Sequence, residues 1–179
     1  TYVNPQQTIE GQQRMASSVI MPLDEPAFLQ YTSGSTRTPA GVELTNRSIL
    51  TNVLQIFEAA RLRLPLRLVS WLPLHHDMGI ILNLFATIMG MQTEMMSPKD
   101  FIQQPSRWTK MLSAREGDDK IGVYTVVPNF ALELAVRYGN TDDIDFSNIN
   151  GIIVGSEAVT EKALTTFLEA FEPVSYTHL

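Results

Sequence analysis

Apolar and polar positions along this chain change their period repeatedly, and each change marks an element. From Thr1 to Asp24 the chain is polar, rich in Gln and without sustained period, which predicts loop or the remainder of an upstream element. Ala27 to Tyr31 is an apolar run of strand length, and Val42 to Leu44 is a second, shorter one. Ile49, Leu50, Val53, Ile56 and Phe57 then recur at helical spacing, which predicts a helix from Asn46 to Ala60 capped by Thr45. Arg67 to Leu72 reads as a strand stopped by Pro73, followed by a polar turn and a helix from Met78 to Met89. Beyond it the pattern predicts strands over Gln92–Met96, Ile121–Val127 and Gly151–Val154. Helices are predicted over Pro105–Ala114, over Asn129–Tyr138 behind Pro128, and from the Thr160 cap to Phe171.

Strands and helices therefore alternate, which predicts an α/β domain: a layered, mainly parallel sheet with helices on both faces and ligands gathered at the carboxyl ends of the strands. Gly117-Asp118-Asp119 and Gly139 to Asp145 read as surface turns, and no internal repeat or low-complexity tract interrupts the alternation.

Composition narrows the function. A chain of 179 residues with 44% hydrophobic content suits one domain, or a piece of a larger one, with a buried core. The net charge of −6 argues against a nucleic-acid surface. It does not argue against an anionic nucleotide, because loop N–H groups and helix N-termini act locally. Cysteine is absent, so no disulfide scaffold or thiol chemistry is available. The longest apolar stretch, Met78 to Met91, is interrupted by Asn83 and too short to span a bilayer. A soluble, cytoplasmic protein without a transmembrane segment is expected. The chain starts without Met, and its last residues, Val174 to Leu179, continue no pattern, which reads as a fragment.

Three polar segments follow strands and carry the candidate chemistry. The first is Tyr31-Thr32-Ser33-Gly34-Ser35-Thr36-Arg37-Thr38-Pro39-Ala40-Gly41-Val42. Hydroxyls and backbone N–H groups at this density suit the oxygens of a triphosphate, and Gly34 and Gly41 let the backbone approach. A P-loop of the Gly-x4-Gly-Lys-Ser/Thr kind is excluded by spacing, since no Lys precedes Lys99. An ordinary polar surface loop is the plain alternative.

The second segment is Trp71-Leu72-Pro73-Leu74-His75-His76-Asp77-Met78-Gly79. Consecutive residues converge poorly on a metal, so no metal ligands are assigned. A nucleophilic triad lacks its Gly-x-Ser-x-Gly or Cys partner. A polar turn and helix cap, with Asp77 favourable at a helix N-terminus, is the local alternative. The third segment, Ile152-Ile153-Val154-Gly155-Ser156-Glu157-Ala158-Val159, is a strand running into small and polar residues before a helix, a corner common in α/β proteins.

The order of residues in the first segment resembles the phosphate-binding signature of the AMP-forming, adenylate-producing ligases, Tyr-Thr-Ser-Gly-Ser-Thr-Gly-x-Pro-Lys-Gly-Val. Arg37 stands at a usual Gly and Ala40 at the usual Lys, so the loop loses one cation and gains another three residues earlier. Leu72 to Gly79 is similar to the Leu-Pro-x-x-His-Asp-Met-Gly segment of fatty acyl-AMP ligases, and Gly155 to Ala158 to their Gly-Ala/Gly-Glu-Pro/Ala segment. Phe101-Ile102-Gln103-Gln104-Pro105-Ser106-Arg107-Trp108 and Val127-Pro128-Asn129-Phe130-Ala131 resemble two further segments that ordinary acyl-CoA synthetases do not usually carry together. Read locally, Trp108 is a core anchor, Arg107 a surface or carboxylate partner, and Phe130 more often core than substrate wall.

This resemblance covers Pro26 to Phe171 and implies part of the large N-terminal domain of a fatty acyl-AMP ligase, with the C-terminal small domain absent. It implies activation of a fatty acid by ATP and Mg2+ to an acyl-adenylate, with transfer to an acyl carrier protein, commonly one serving a polyketide synthase. On it, Thr32, Ser33, Gly34, Ser35, Thr36 and Arg37 would meet the phosphates, and Ser156, Glu157 and Ala158 the adenine. His76 would support the attacking carboxylate, Asp77, Met78 and Gly79 would open the helix along the acyl channel, and Asn129 and Phe130 would line it. An acyl-CoA synthetase, or a non-catalytic relative binding acyl groups or nucleotide, is the alternative. No Tyr-Gly-x-Thr/Ala-Glu element, ribose-binding Asp or C-terminal Lys is present, so the piece alone is expected not to turn over.

Overall fold

The computed structural model describes residues 22–31, 39–118, 120–139 and 141–174. The chain divides between Ile56 and Phe57 into two compact units.

In the first unit β1 (Pro26–Tyr31) pairs antiparallel with β2 (Gly41–Thr45), and Tyr31 lies opposite Gly41. Helix α1 (Asn46–Ala59) follows directly, and the Thr45 hydroxyl accepts the Ser48 N–H at 3.2 Å as its cap. Asn46 holds the preceding chain by donating from its amide to the Pro22 carbonyl, while Arg47 forms a two-pronged ion pair with Asp24.

The second unit contains a four-stranded, fully parallel sheet in the order β4–β3–β5–β6, built from β3 (Leu66–Ser70), β4 (Gln92–Met95), β5 (Gly122–Pro128) and β6 (Ile149–Gly155). All five residues of β3 are buried, as is nearly all of β5, which is what strands covered on both faces require. Between the strands run α2 (Asp77–Ile88), α3 (Pro98–Gln103), α4 (Ser106–Leu112) and α5 (Asn129–Tyr138), and α6 (Glu161–Phe171) follows β6.

From β3 the chain steps outward to β4, then returns past β3 to β5 and continues the other way to β6. Crossovers of one hand therefore place α2 on one face and α4 and α5 on the other, where α4 packs on α5 and α5 on α6. The reversal puts a topological switch point between β3 and β5, and in open parallel sheets the crevice outside such a point is where ligands bind.

The α/β alternation expected from the pattern is present. Two features differ from it. Strands β1 and β2 form a separate antiparallel pair, and α3 occupies a stretch for which no helix was expected.

The core beneath the crevice is aromatic. Trp108 is fully buried; its indole N–H donates to the Thr125 hydroxyl at 3.3 Å, which in turn donates to the Val69 carbonyl at 2.8 Å. Phe101 meets Trp108 edge-on at 5.9 Å and stacks on Trp71 at 4.0 Å with the rings 2° from parallel. This series of contacts fixes the residue at the end of β3 from inside the domain.

Candidate functional site

Outside the carboxyl ends of β3, β5 and β6 lies a cavity of about 370 Å³. The segment after β3 contributes Trp71, Pro73 and His76, and the first turn of α2 contributes Met78. Pro98 and Ile102 come from α3, Phe130 from the start of α5, and Ser156 and Glu157 from the turn after β6. The wall is almost wholly apolar, with His76 and Glu157 as its ionisable members.

His76 is placed by a tight turn in which its N–H donates to the Pro73 carbonyl at 3.1 Å, and it is the cap residue of α2. Its Nδ1 lies 2.7 Å from Asp77 Oδ1 and 3.3 Å from the Met78 nitrogen. Both cannot be hydrogen bonds at once, since a nitrogen so close to a carboxylate oxygen carries a proton and cannot also accept one. The Met78 N–H has a better acceptor in Asp77 Oδ1 at 2.7 Å, so Nδ1–H donates to Asp77 and Nε2 is left for a ligand.

Gly79 allows this geometry. A Cβ there would lie 2.1 Å from the Pro73 carbonyl oxygen, so α2 approaches the turn closely enough to exclude any side chain.

Phe130 is 38% exposed and meets Trp71 at 5.9 Å with the rings tilted by 56°. Trp71 itself is buried, and its indole N–H has no hydrogen-bond partner. Ser156 has a positive φ of 67°, and its hydroxyl donates to Met78 Sδ at 3.0 Å. Glu157 Oε1 accepts the Phe130 N–H at 2.7 Å.

The structure thus brings His76, Met78, Phe130, Ser156 and Glu157 onto one wall. Asp77, Gly79, Asn129 and Ala158 are not part of it. Asn129 is buried, with its side-chain oxygen accepting the Thr160 N–H at 3.0 Å, so its amide joins the start of α5 to the cap of α6. Thr32, Ser33, Gly34, Ser35, Thr36 and Arg37 lie outside the described residues. No three His, Asp or Glu side chains come together as a metal site among the described residues.

Sequence reasoning gave no role to Trp71, Pro98 or Ile102, although an aromatic residue at the end of an apolar strand, two positions before a Pro, was a usable signal for the first. A larger cavity of about 750 Å³, against Tyr124, β6 and α6 with Arg61 and Arg63 at its rim, shares no residue with this site. Of the chemistry-bearing segments only the strand residues Ile152 and Val154 reach it and none of their polar residues does, so the smaller cavity is the candidate site.

An open parallel sheet with an apolar cavity at its switch point defines a small-molecule-binding α/β domain. Residues 3–178 match the AMP-binding enzyme family, and the chain belongs to it. A long-chain-fatty-acid–AMP ligase of Mycobacterium marinum is 43% identical over 151 residues, covering 82% of this chain and 24% of the relative. A 4-hydroxyphenylalkanoate adenylyltransferase of Mycobacterium tuberculosis is 38% identical over 154 residues, with the same coverage of 82% and 24%. Among solved structures, a fatty acyl-adenylate ligase from L. pneumophila, in complex with acyl adenylate and pyrophosphate, superposes with a TM-score of 0.76 at 34% identity, covering 87% of this chain and 27% of that one. The chain spans about a quarter of the length of the curated relatives it matches. Among the described residues no helix is long and apolar enough to cross a membrane.

Proposed function

We propose that the protein carrying this segment activates a fatty acid with ATP, forming an acyl-adenylate and releasing pyrophosphate, and that the segment is part of its N-terminal, nucleotide-binding domain. The observation that carries the reading is the apolar cavity with His76 on its wall, its Nδ1 held by Asp77 and its Nε2 left for a ligand. Glu157, the other ionisable group of the wall, has one carboxylate oxygen engaged with the Phe130 N–H.

An acyl chain suits the wall formed by Trp71, Pro73, Ile102 and Phe130, and its carboxylate suits His76. With Nδ1–H held by Asp77, the doubly protonated imidazole is the form that donates from Nε2 to the acid, orients it and offsets its charge. It need not remove a proton, because the carboxylate is already the nucleophile. One carboxylate oxygen forms a bond to the α-phosphorus, the bond from that phosphorus to the β-bridging oxygen breaks, and pyrophosphate leaves with the electron pair.

By their order in the sequence Thr32 to Thr36 and Arg37 would hold the phosphates, and the turn Ser156-Glu157-Ala158 at the end of β6 would meet the adenine. The described side chains offer no carboxylate cluster for Mg2+, so an ion bound mainly through phosphate oxygens fits this donor set, and it would supply charge neutralisation. The names of the relatives support a fatty or arylalkanoic acid as substrate. We infer an acyl carrier protein, as in polyketide synthase systems, as acceptor and the cytoplasm as compartment.

Fatty-acid-dependent exchange of labelled pyrophosphate into ATP by the complete protein is the test. His76→Ala is expected to lower kcat/KM by about a hundredfold. Absence of exchange with every fatty and arylalkanoic acid tried would overturn the reading. Thioester formation on free CoA rather than on a carrier protein would replace the proposed acceptor.

A further inference from the structure

The turn after β6 holds two walls of the cavity at once. Ser156 adopts the left-handed backbone region, unfavourable for a residue with a Cβ, and its hydroxyl reaches Met78 Sδ in the first turn of α2. The next residue, Glu157, accepts the Phe130 N–H in the first turn of α5. Helix α5 has no side-chain cap of its own: Pro128 at the cap position offers no acceptor, and the Asn129 oxygen is taken by Thr160. A carboxylate 27 residues further along the chain therefore satisfies an N–H that the helix start leaves open.

Phe130 needs such an anchor. At 38% exposure its ring is not held by core burial, and its place on the wall follows from the backbone at the start of α5 and from the ring contact with Trp71. We propose that Glu157 is a positioning residue for acid selectivity: it fixes Phe130 against the cavity, and so couples recognition of the acid to the turn that meets the nucleotide. The proposal rests on the ligase reading above. It assigns Glu157 to the acyl wall through Phe130, not to a polar contact with the adenine.

The test uses the complete protein and compares kcat/KM for a straight-chain fatty acid with that for a 4-hydroxyphenylalkanoate, both by pyrophosphate exchange. Glu157→Ala is expected to shift the ratio between the two acids by about tenfold, whereas Glu157→Gln, which keeps an acceptor oxygen, stays within about threefold of wild type. In a Phe130→Ala background the Glu157→Ala shift disappears, because both changes act through one wall. Glu157→Asp keeps the charge but withdraws the acceptor by one methylene, and gives the same shift if the Ala variant does not fold.

An equal fall for both acids, a shift in the Gln variant as large as in the Ala variant, or independent effects in the double variant would each overturn the proposal. Wild-type exchange with an unmoved ratio would count against this inference alone. No wild-type exchange with any acid would remove it together with the ligase reading.

Discussion

At the scale of single residues, the site depends on close approach and on committed hydrogen bonds. Gly79 is the clearest case: a Cβ at 2.1 Å from the Pro73 carbonyl oxygen meets backbone, not a flexible side chain, so α2 and the turn must separate. Gly79→Ala is expected to destabilise the protein by about 1–3 kcal/mol, read from urea unfolding. His76 was legible in the sequence because a His-Asp pair ahead of an apolar run is recognisable both as a cap and as a resemblance. The division of labour around it was not. Which nitrogen is spent on Asp77, and that the Asn129 amide is turned inward to Thr160, depend on contacts that sequence neighbours do not reveal.

At the scale of elements, periodicity located the longer helices, and the two threonine caps, Thr45 and Thr160, act as expected. The Thr160 hydroxyl accepts the Ala163 N–H at 3.3 Å, and Thr160→Ala is expected to cost about 1 kcal/mol in thermal or urea unfolding. Helix α3 escaped because six residues are too few for a helical period. Its signature was nevertheless present: Ser97 caps it, Pro98 opens it, and Asp100 faces the cap, with Ser97 Oγ 2.7 Å from Asp100 Oδ2.

That contact gives α3 a pH dependence. The Asp100 carboxyl is held below its ordinary value chiefly by the Ser97 hydroxyl, against an opposing effect of burial that outweighs the smaller favourable contribution of the Arg107 charge. Since the folded value is the lower one, the contribution is present above the unfolded value and is lost as the pH falls through the folded value. Acid titration of unfolding midpoints should therefore show Asp100→Asn losing less stability than wild type across that window. An identical acid limb in the two proteins would contradict it.

At the scale of the whole molecule, the alternation predicted a parallel α/β sheet, and the four central strands form one. Their order was not legible. Nothing in β3, β4, β5 and β6 taken singly says that the chain goes outward first and then doubles back, and that reversal is what creates the switch point. The antiparallel pair β1–β2 was hidden for a different reason. The residues joining the two strands are not the two-residue turn by which a hairpin is read.

The interior also holds a charge that no pattern announced. Arg67, in the middle of buried β3, is fully inaccessible and donates to the carbonyls of Met111 and Ser113 and to Asp118. Glu94 lies 3.6 Å from its guanidinium and is gripped from the other side by both nitrogens of Arg115. Removing Arg67 leaves Asp118 and part of this network unpaired, so Arg67→Ala is expected to cost about 3–5 kcal/mol by urea unfolding. Two cations and two carboxylates balance here, and the balance bears on descent as well as on stability. Substitution at one of the four positions strands a charge that its neighbours were placed to meet, whereas a paired exchange does not. Lineages that share this sheet should therefore change Arg67, Glu94, Arg115 and Asp118 in company and seldom singly, leaving in their alignments a correlated quartet that shares no residue with the cavity at the strand ends.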